Sequence, residues 1–227
     1  MTSKDKQVLH HLSQFVSDHK REVVDKVLDV RTRHITVVLE DIFQSQNASA
    51  VMRTAECMGL QDIYIIEQLT KYSINPRVLK GADKWLNLIR YNHKHTDNTR
   101  DCFTHLRDAG YRVLVADPSS AGIAIDSIDV TEGKLALVFG NELRGVSKSS
   151  LENADAIIRI PMYGFTESLN VSVSVAICLN ILVPRLHASG EKLFLTEEEK
   201  DVLRLSWYRK IVRRSDLIEK EFLRTIQ

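Results

Sequence analysis

The spacing of apolar positions divides the chain into stretches of helical and strand character. Val8, Leu9, Leu12, Phe15 and Val16 recur at helical intervals, as do Val23, Val24, Val27 and Leu28, which predicts one or two helices over residues 4–28. Polar residues 31–34 break this pattern. The run Ile35, Thr36, Val37, Val38, Leu39 is β-branched and apolar and reads as a buried strand. A polar loop at 44–47 leads into a helix over 48–58, with Gly59 where a C-terminal cap belongs. Further strands are predicted at 62–67, 86–91, 111–116, 135–139 and 156–160. Residues 70–80 read as loop and short helix. Helices are predicted at 96–109, at 147–153 behind the N-cap candidate Ser147, and at 169–182, the last broken at Pro184. Thr196 with Glu199 three residues later forms a capping-box pattern that opens the last helix.

Strands alternating with helices specify an α/β domain. Because the strand interiors are rich in Val and Ile on both faces, the sheet is expected to be mostly parallel with helices on both faces. The core falls at about residues 34–186. Residues 1–33 and 187–227 read as N- and C-terminal helical extensions.

The chain has 227 residues, 44% hydrophobic and 27% charged, proportions that place it among ordinary globular proteins. No run of 18 uninterrupted apolar residues argues for a membrane span, and the polar start at 1–6 is unlike a signal core. Three widely spaced cysteines, Cys57, Cys102 and Cys178, without a CxxC, suit reduced and mostly buried thiols in a cytoplasmic protein. The pairs His10-His11 and His93-x-His95 lack partners at zinc-like spacing, so no metal is assigned. A net charge of +1 gives no global nucleic-acid signal. Locally, residues 204–224 hold seven basic and three acidic side chains, an excess of 7 − 3 = +4. Taken alone, such a run reads first as a solvated helix face and second as a nucleic-acid contact.

Ligands of open parallel sheets bind outside the carboxyl ends of the strands. Four loops sit there: 44–53, 116–120, 140–145 and 162–170. On local chemistry Asn47 and Arg53 fit an N-cap and a surface arginine; the alternative is an amide that organises the loop and a guanidinium that grips a phosphate. The run Phe139, Gly140, Asn141, Glu142, Leu143, Arg144, Gly145 is neither a P-loop nor a dinucleotide fingerprint, and suits a tight turn or a cofactor lying on glycine backbone. Ser168 or Asn170 fits a helix cap or a helix start that cradles a small ligand. No nucleophilic triad and no pair of catalytic carboxylates is evident.

Taken together, three segments resemble motifs 1, 2 and 3 of the SPOUT RNA 2'-O-ribose methyltransferases. They are Asn47-x5-Arg53-Thr54-Ala55, then Phe139-Gly140-Asn141-Glu142-x2-Gly145, then Ile160-Pro161-Met162 followed by Ser168-Leu169-Asn170-Val171-Ser172-Val173. Order and spacing match across the core. Gly81-x2-Lys84-Trp85 looks like a further family feature, and the flanking helices resemble those of the tRNA (guanosine(18)-2'-O)-methyltransferase subgroup.

The resemblance implies a deep trefoil knot in the C-terminal part of the core, S-adenosyl-L-methionine as cofactor, tRNA as partner, and a homodimer with motif residues of both chains near each site. Backbone at Ala116, Gly140, Ile160 and Leu169 would contact the cofactor; the family commonly has Thr where Ala116 stands, which a backbone contact survives. Arg53 would be catalytic, with Asn47, Glu142, Ser168 and Asn170 shaping the site. A guanidinium is a poor base, so Arg53 is expected to bind the phosphate beside the ribose and stabilise the developing oxyanion. RNA binding would fall to the extensions, through Arg31 and Arg33 and through Arg209, Lys210, Arg213 and Arg214 as adjacent pairs on the last helix. The stacking of Trp207 and Tyr208 on bases is set against their packing within the helices, which is the expected outcome. Rival readings are methylation of ribosomal RNA or of another tRNA position, with only about 33 residues ahead of the core to form an RNA-binding domain, and a non-catalytic RNA-binding protein of the same fold. A nucleotide-dependent oxidoreductase is disfavoured by the missing glycine fingerprint.

Overall fold

The computed structural model describes residues 1–118, 122–190 and 193–226. The chain forms two compact units, Arg33–Leu193 and a second made of Met1–Thr32 with Phe194–Gln227. Ser119 and Ser120, named in the 116–120 loop, lie outside the described residues.

The larger unit is a seven-stranded sheet. Its strands are β1 (Ile35–Glu40), β2 (Asp62–Ile66), β3 (Asn87–Tyr91), β4 (Tyr111–Ala116), β5 (Ile123–Ala124), β6 (Lys134–Phe139) and β7 (Ala156–Arg159). They lie in the order β3-β2-β1-β6-β4-β7-β5, and every pairing is parallel. The sheet is as expected, and wholly rather than mostly parallel. β5 escaped sequence reading because two residues carry no periodicity.

Alternation along the strands divides the core in two. Ile35, Val37 and Leu39 of β1 and Leu135, Leu137 and Phe139 of β6 face one layer, where they pack with α3 (Ser45–Cys57) and α7 (Val171–Ala188). Val38, Val113, Val115, Ala136 and Val138 face the other, against Cys102, Phe103 and Leu106 of α5 (Asn98–Asp108). Two short helices, α4 (Pro76–Leu79) and α6 (Lys148–Glu152), complete this unit. Asp97 caps α5 and Ser147 caps α6 through side-chain oxygens.

Two helix boundaries differ from expectation. α3 begins at Ser45, with Gln44 at the cap position, so Asn47 is an interior residue and not the cap. α7 does not break at Pro184 but runs to Ala188. Proline removes one hydrogen bond to the carbonyl of Asn180, a residue on the exposed side. Val183 and Leu186 continue the buried stripe beyond it, which keeps the last turn helical. α7 is apolar and long enough to cross a membrane, and its Val175, Cys178, Leu179 and Leu182 are buried in the core.

The smaller unit packs α1 (Ser3–Ser13) and α2 (Asp18–Asp29) with α8 (Glu197–Ile211) and α9 (Ser215–Thr225). Thr196 and Glu199 form the expected capping box of α8. The last helix is divided, however: Val212 is extended and Arg214 takes a left-handed φ of 58°. Arg213 and Arg214 therefore cannot form helical i, i+4 pairs with Arg209 and Lys210. Trp207 and Tyr208 are buried, which settles their role as packing residues. Arg31 was expected to meet RNA, but it is fully buried with its guanidinium 5.4 Å from the Trp207 ring centre. That position denies it a phosphate at the surface.

Candidate functional site

The site begins where β1 ends, at two consecutive carboxylates that hold loops in place. Glu40 is buried and accepts hydrogen bonds from Thr99 Oγ1 (2.7 Å), from the N–H and hydroxyl of Ser147 (2.8 Å each) and from Ser150 Oγ (2.8 Å). It thereby ties the first turns of α5 and α6 to the strand end. Asp41 turns the chain with φ 52°, a conformation Asp tolerates better than most residues. Its Oδ1 accepts the N–H groups of Gln68, Leu69 and Thr70 at 2.8, 2.8 and 2.9 Å.

After β6 the chain makes a closed loop. Asn141 and Gly145 exchange two backbone hydrogen bonds, of 2.9 and 2.8 Å. Asn141 Nδ2 donates to the carbonyl of Asp41 (2.6 Å), while its Oδ1 accepts from the N–H of Leu143 and Arg144. A Cβ on Gly140 would stand 2.4 Å from the carbonyl carbon and oxygen of Gly145 and from the nitrogen of Val146. Only glycine fits.

This loop aims Glu142 at the start of α3. Its carboxylate accepts the N–H of Phe43 (2.9 Å), the N–H of Gln44 (3.1 Å) and Asn47 Nδ2 (2.9 Å). Burial alone would raise the pKa of Glu142, but the hydrogen bonds from Asn47 and from backbone amides outweigh it and hold the carboxyl below its usual range. Asn47 passes the connection on, since its Oδ1 accepts from Asn170 Nδ2 at 3.1 Å. Asn170 Oδ1 in turn caps α7, accepting from the N–H of Ser172 (2.9 Å) and its hydroxyl (2.6 Å). Glu142, Asn47 and Asn170 come from three distant stretches and form one hydrogen-bonded chain.

The chain of bonds borders a cavity of about 580 Å³ at the carboxyl ends of β4, β6 and β7 and the first turn of α7. Residues 116–118, 139–146, 158–160 and 168–171 line it, with Gln44, Asn47, Met162 and Ser174. The volume is that of a small-molecule site. Apolar Ile158, Ile160, Leu169 and Val171 line it together with polar Asn47, Asp117, Asn141 and Asn170, which suits a ligand with both apolar and polar parts. Arg144 and Ser168 face it with no side-chain hydrogen bond or ion pair among the described residues. No cluster of metal-ligating side chains occurs among the described residues.

Residues 34–180 match the model of the SpoU rRNA Methylase family. The chain belongs to this family. It is 42% identical to the tRNA (guanosine(18)-2'-O)-methyltransferase of Borreliella burgdorferi, over 92% of this chain and 93% of that protein. Among solved structures it resembles the TrmH/SpoU tRNA modifying enzyme of A. aeolicus, with TM-score 0.74 and 28% identity, covering 86% of this chain and 98% of the other. An AdoMet-bound rRNA methyltransferase from Sinorhizobium meliloti shares the fold, with TM-score 0.60 and 23% identity, over 70% of this chain and 60% of that one.

In this SpoU family chain, eight of the residues singled out from sequence border one cavity: Asn47, Ala116, Gly140, Glu142, Ile160, Ser168, Leu169 and Asn170. Arg53 does not. It lies six residues beyond Asn47 on α3, about 600° around the helix axis and about 9 Å along it, and it is exposed with no partner among the described residues. Its own chain's cavity is therefore built without it. Arg33 is drawn into an ion pair with Asp62 (2.9 Å), and Arg209 into a two-pronged pair with Glu219 (2.9 and 2.6 Å). Sequence reading passed over Arg159 and Ser174, which also line the cavity. Ser174 sits one helical turn after Asn170, so its place was available from periodicity once Asn170 was known to cap α7.

Proposed function

We propose that this chain transfers a methyl group from S-adenosyl-L-methionine to a ribose 2'-oxygen of tRNA, at guanosine 18, and that it does so as a cytoplasmic homodimer. The observation that carries the proposal is the Glu142, Asn47 and Asn170 chain of hydrogen bonds, which brings three family motifs to the edge of one cavity. The 42% identical relative named for guanosine 18 methylation supports the choice of substrate.

Backbone at Ala116, Gly140, Ile160 and Leu169 would hold the cofactor, with the apolar side chains against its ring system. Bound there, the cofactor supplies an electrophilic methyl on a sulfonium whose positive charge disappears on transfer. The protein's task is then to orient the ribose hydroxyl and accommodate its proton. Orientation alone is worth about 7–11 kcal/mol of barrier. Glu142 is a poor candidate for the base, because three donors already occupy its carboxylate. It positions the start of α3, as Asn47 and Asn170 do.

Arg53 completes the site from the other protomer in this reading. Its exposure away from its own cavity supports such a sharing, as do the exposed apolar side chains Leu143, Tyr163, Phe165, Leu169 and Val173 beside the cavity, which a second copy would cover. The strand order, with β6 between β1 and β4 and β7 between β4 and β5, is compatible with the knotted path the family resemblance implies. Arg213 and Arg214, exposed between α8 and α9, remain the extension's candidates for RNA phosphates, with Lys210 and Arg209 alongside.

The test is incubation with methyl-labelled cofactor and total tRNA, followed by nucleoside mapping. Label at the 2'-oxygen of guanosine 18 is expected. Label in ribosomal RNA or at another tRNA position would replace the substrate, and cofactor binding without transfer to any RNA would favour a silent RNA-binding protein. Arg53→Ala should abolish transfer while leaving cofactor affinity within about twofold. Mixing Arg53→Ala with Asn170→Ala subunits should restore part of the activity if the site is shared.

A further inference from the structure

We infer that the segment running from β2 through α4, which carries Lys71, Arg77 and Lys80, is a phosphate track that extends from Arg53 and holds the RNA backbone flanking the target nucleotide. The inference rests on the RNA substrate proposed above and adds a binding face on the core unit itself, apart from the terminal helices.

The sequence of α3 sets the geometry. Ser49, Met52, Arg53 and Glu56 are spaced i, i+3, i+4 and i+7, so they share one face of the helix. The segment after β2 is fastened along this face. The N–H of Asn75 donates to Ser49 Oγ at 2.7 Å, and the Tyr72 hydroxyl meets the Met52 sulfur. Leu79 is buried in the same cluster as Met52 and Ala55. Arg53 is thus the solvent-side neighbour of residues 72–79.

Two consecutive left-handed residues then reverse the chain, Lys80 at φ 53° and Gly81 at φ 81°. The turn sends Leu79 and Ala82 into the core and leaves Lys80 in solvent. The N–H of Lys84 closes it on the Gly81 carbonyl at 3.2 Å, and the Lys84 stem passes 3.9 Å from where a Gly81 Cβ would be. This gives the Gly81-x2-Lys84 pattern a structural purpose. A lysine in the left-handed region is strained where glycine would not be, and such strain concentrates at functional positions.

Charge distinguishes this face from much of the core unit. Four arginines elsewhere are paired with carboxylates: Arg33 with Asp62, Arg90 with Glu67, Arg107 with Asp155 and Arg112 with Glu132. Arg53, Lys71, Arg77 and Lys80 are exposed, and their side chains have no hydrogen bond or ion pair among the described residues. Over α3 and residues 69–84 the charged side chains are Arg53, Lys71, Arg77, Lys80 and Lys84 against Glu56 and Asp83, an excess of 5 − 2 = +3. A row of exposed cations that outnumbers the carboxylates beside it matches a polyanion, and the phosphates beside a target ribose are such anions. None of Arg53, Arg77 and Lys80 lines the cavity, so the track binds substrate and not cofactor.

The experiment is titration of a fluorescent tRNA transcript with the full chain and with an Arg77→Ala/Lys80→Gly double variant, from 50 to 200 mM KCl. Glycine at 80 removes the charge and relieves the left-handed strain together, so a loss of binding cannot be charged to misfolding if the melting temperature holds or rises. The double variant should bind about tenfold more weakly at the lowest salt, and the slope of log K against log salt should shrink by about 1.5, as loss of two phosphate contacts requires. Cofactor affinity should be unchanged. Arg77→Lys/Lys80→Arg should retain the wild-type slope. Affinity and slope equal to wild type in the double variant would overturn the inference. A protein that binds tRNA through Arg77 and Lys80 yet transfers no methyl group to it would instead overturn the activity and leave this surface standing.

Discussion

Gly140→Ala is a one-methyl change whose cost can be worked from the loop it would disturb. The added Cβ would stand 2.4 Å from three backbone atoms of Gly145 and Val146. Ordinary contact begins near 3.4 Å, so the loop must open by about 1 Å. No flexible side chain is available to yield, since every atom met is main chain. Opening breaks the two hydrogen bonds between Asn141 and Gly145, each worth about 1 kcal/mol net. The loss is thus about 2 kcal/mol, within the usual range for overpacking. If the cofactor needs the closed loop, its affinity falls about 30-fold. If the folded state bears the strain unrelieved, the melting temperature falls by about 4–8 °C for a unit of this size. Gly164→Ala is the matched control, because its Cβ would meet only the Thr166 nitrogen, at 4.0 Å. Calorimetric titration of the cofactor and thermal melts of both variants are the measurements. A Gly140→Ala protein with wild-type affinity and wild-type melting would refute the reasoning.

Four other outcomes follow from particular side chains. Replacing Glu142 with Gln puts a donor against three donors and should lower transfer by at least tenfold, read as initial rates. Glu142 also carries a pH signature. Its folded-state pKa lies below the ordinary 4.5, so its contribution is complete above about pH 4.5 and is lost as pH falls through the lowered value. The melting gap between wild type and Glu142→Gln should therefore close below pH 4.5, and a constant gap would contradict the assignment. Arg31→Ala should destabilise by about 2–4 kcal/mol through lost packing on Trp207, seen in denaturant titration. Among the thiols, exposed Cys57 should react quickly with a disulfide reagent, whereas Cys102 and Cys178, buried and with Cys178 pushed up to about 12, should react only on unfolding.

Strand positions were legible because buried parallel strands are short apolar runs, and β1, β4 and β6 fall within a residue of expectation. Their order in the sheet was not. Nothing local tells β6 to lie between β1 and β4, since that choice depends on which faces remain uncovered once the earlier strands have paired. The motif residues that reach the cavity were found as letters, but their roles needed coordinates. Asn47 looked like a cap by residue type, and only the start of α3 one turn earlier frees its amide to join Glu142 to Asn170. Charge misled in the opposite way. Arg31 and Arg33 read as surface cations, yet one is buried against Trp207 and the other paired with Asp62. A formal charge in a sequence does not say whether a carboxylate or an aromatic ring awaits it.

That distinction between neutralised and unpaired charge also orders the site. Glu40, Asp41 and Glu142 stand at the strand end and loop that frame it, and each accepts three or more hydrogen bonds. They act as fixed acceptors for loop amides and hydroxyls, and the loops cannot shift without leaving donors unmet, at about 1–3 kcal/mol each. The cations Arg53, Arg77, Lys80 and Arg144 have no such partners among the described residues and keep their hydrogen-bonding capacity for whatever binds. A rigid acidic frame with unpaired cations around it suits an anionic substrate that must be held still during the transfer. Substituting the frame should therefore change turnover and cofactor affinity with little effect on the salt dependence of RNA binding. Substituting Arg77 and Lys80 should change the salt dependence alone. Parallel measurement of cofactor affinity and of tRNA affinity against salt for Glu142→Gln and the Arg77→Ala/Lys80→Gly variant checks this division, and the same salt slope for both would contradict it.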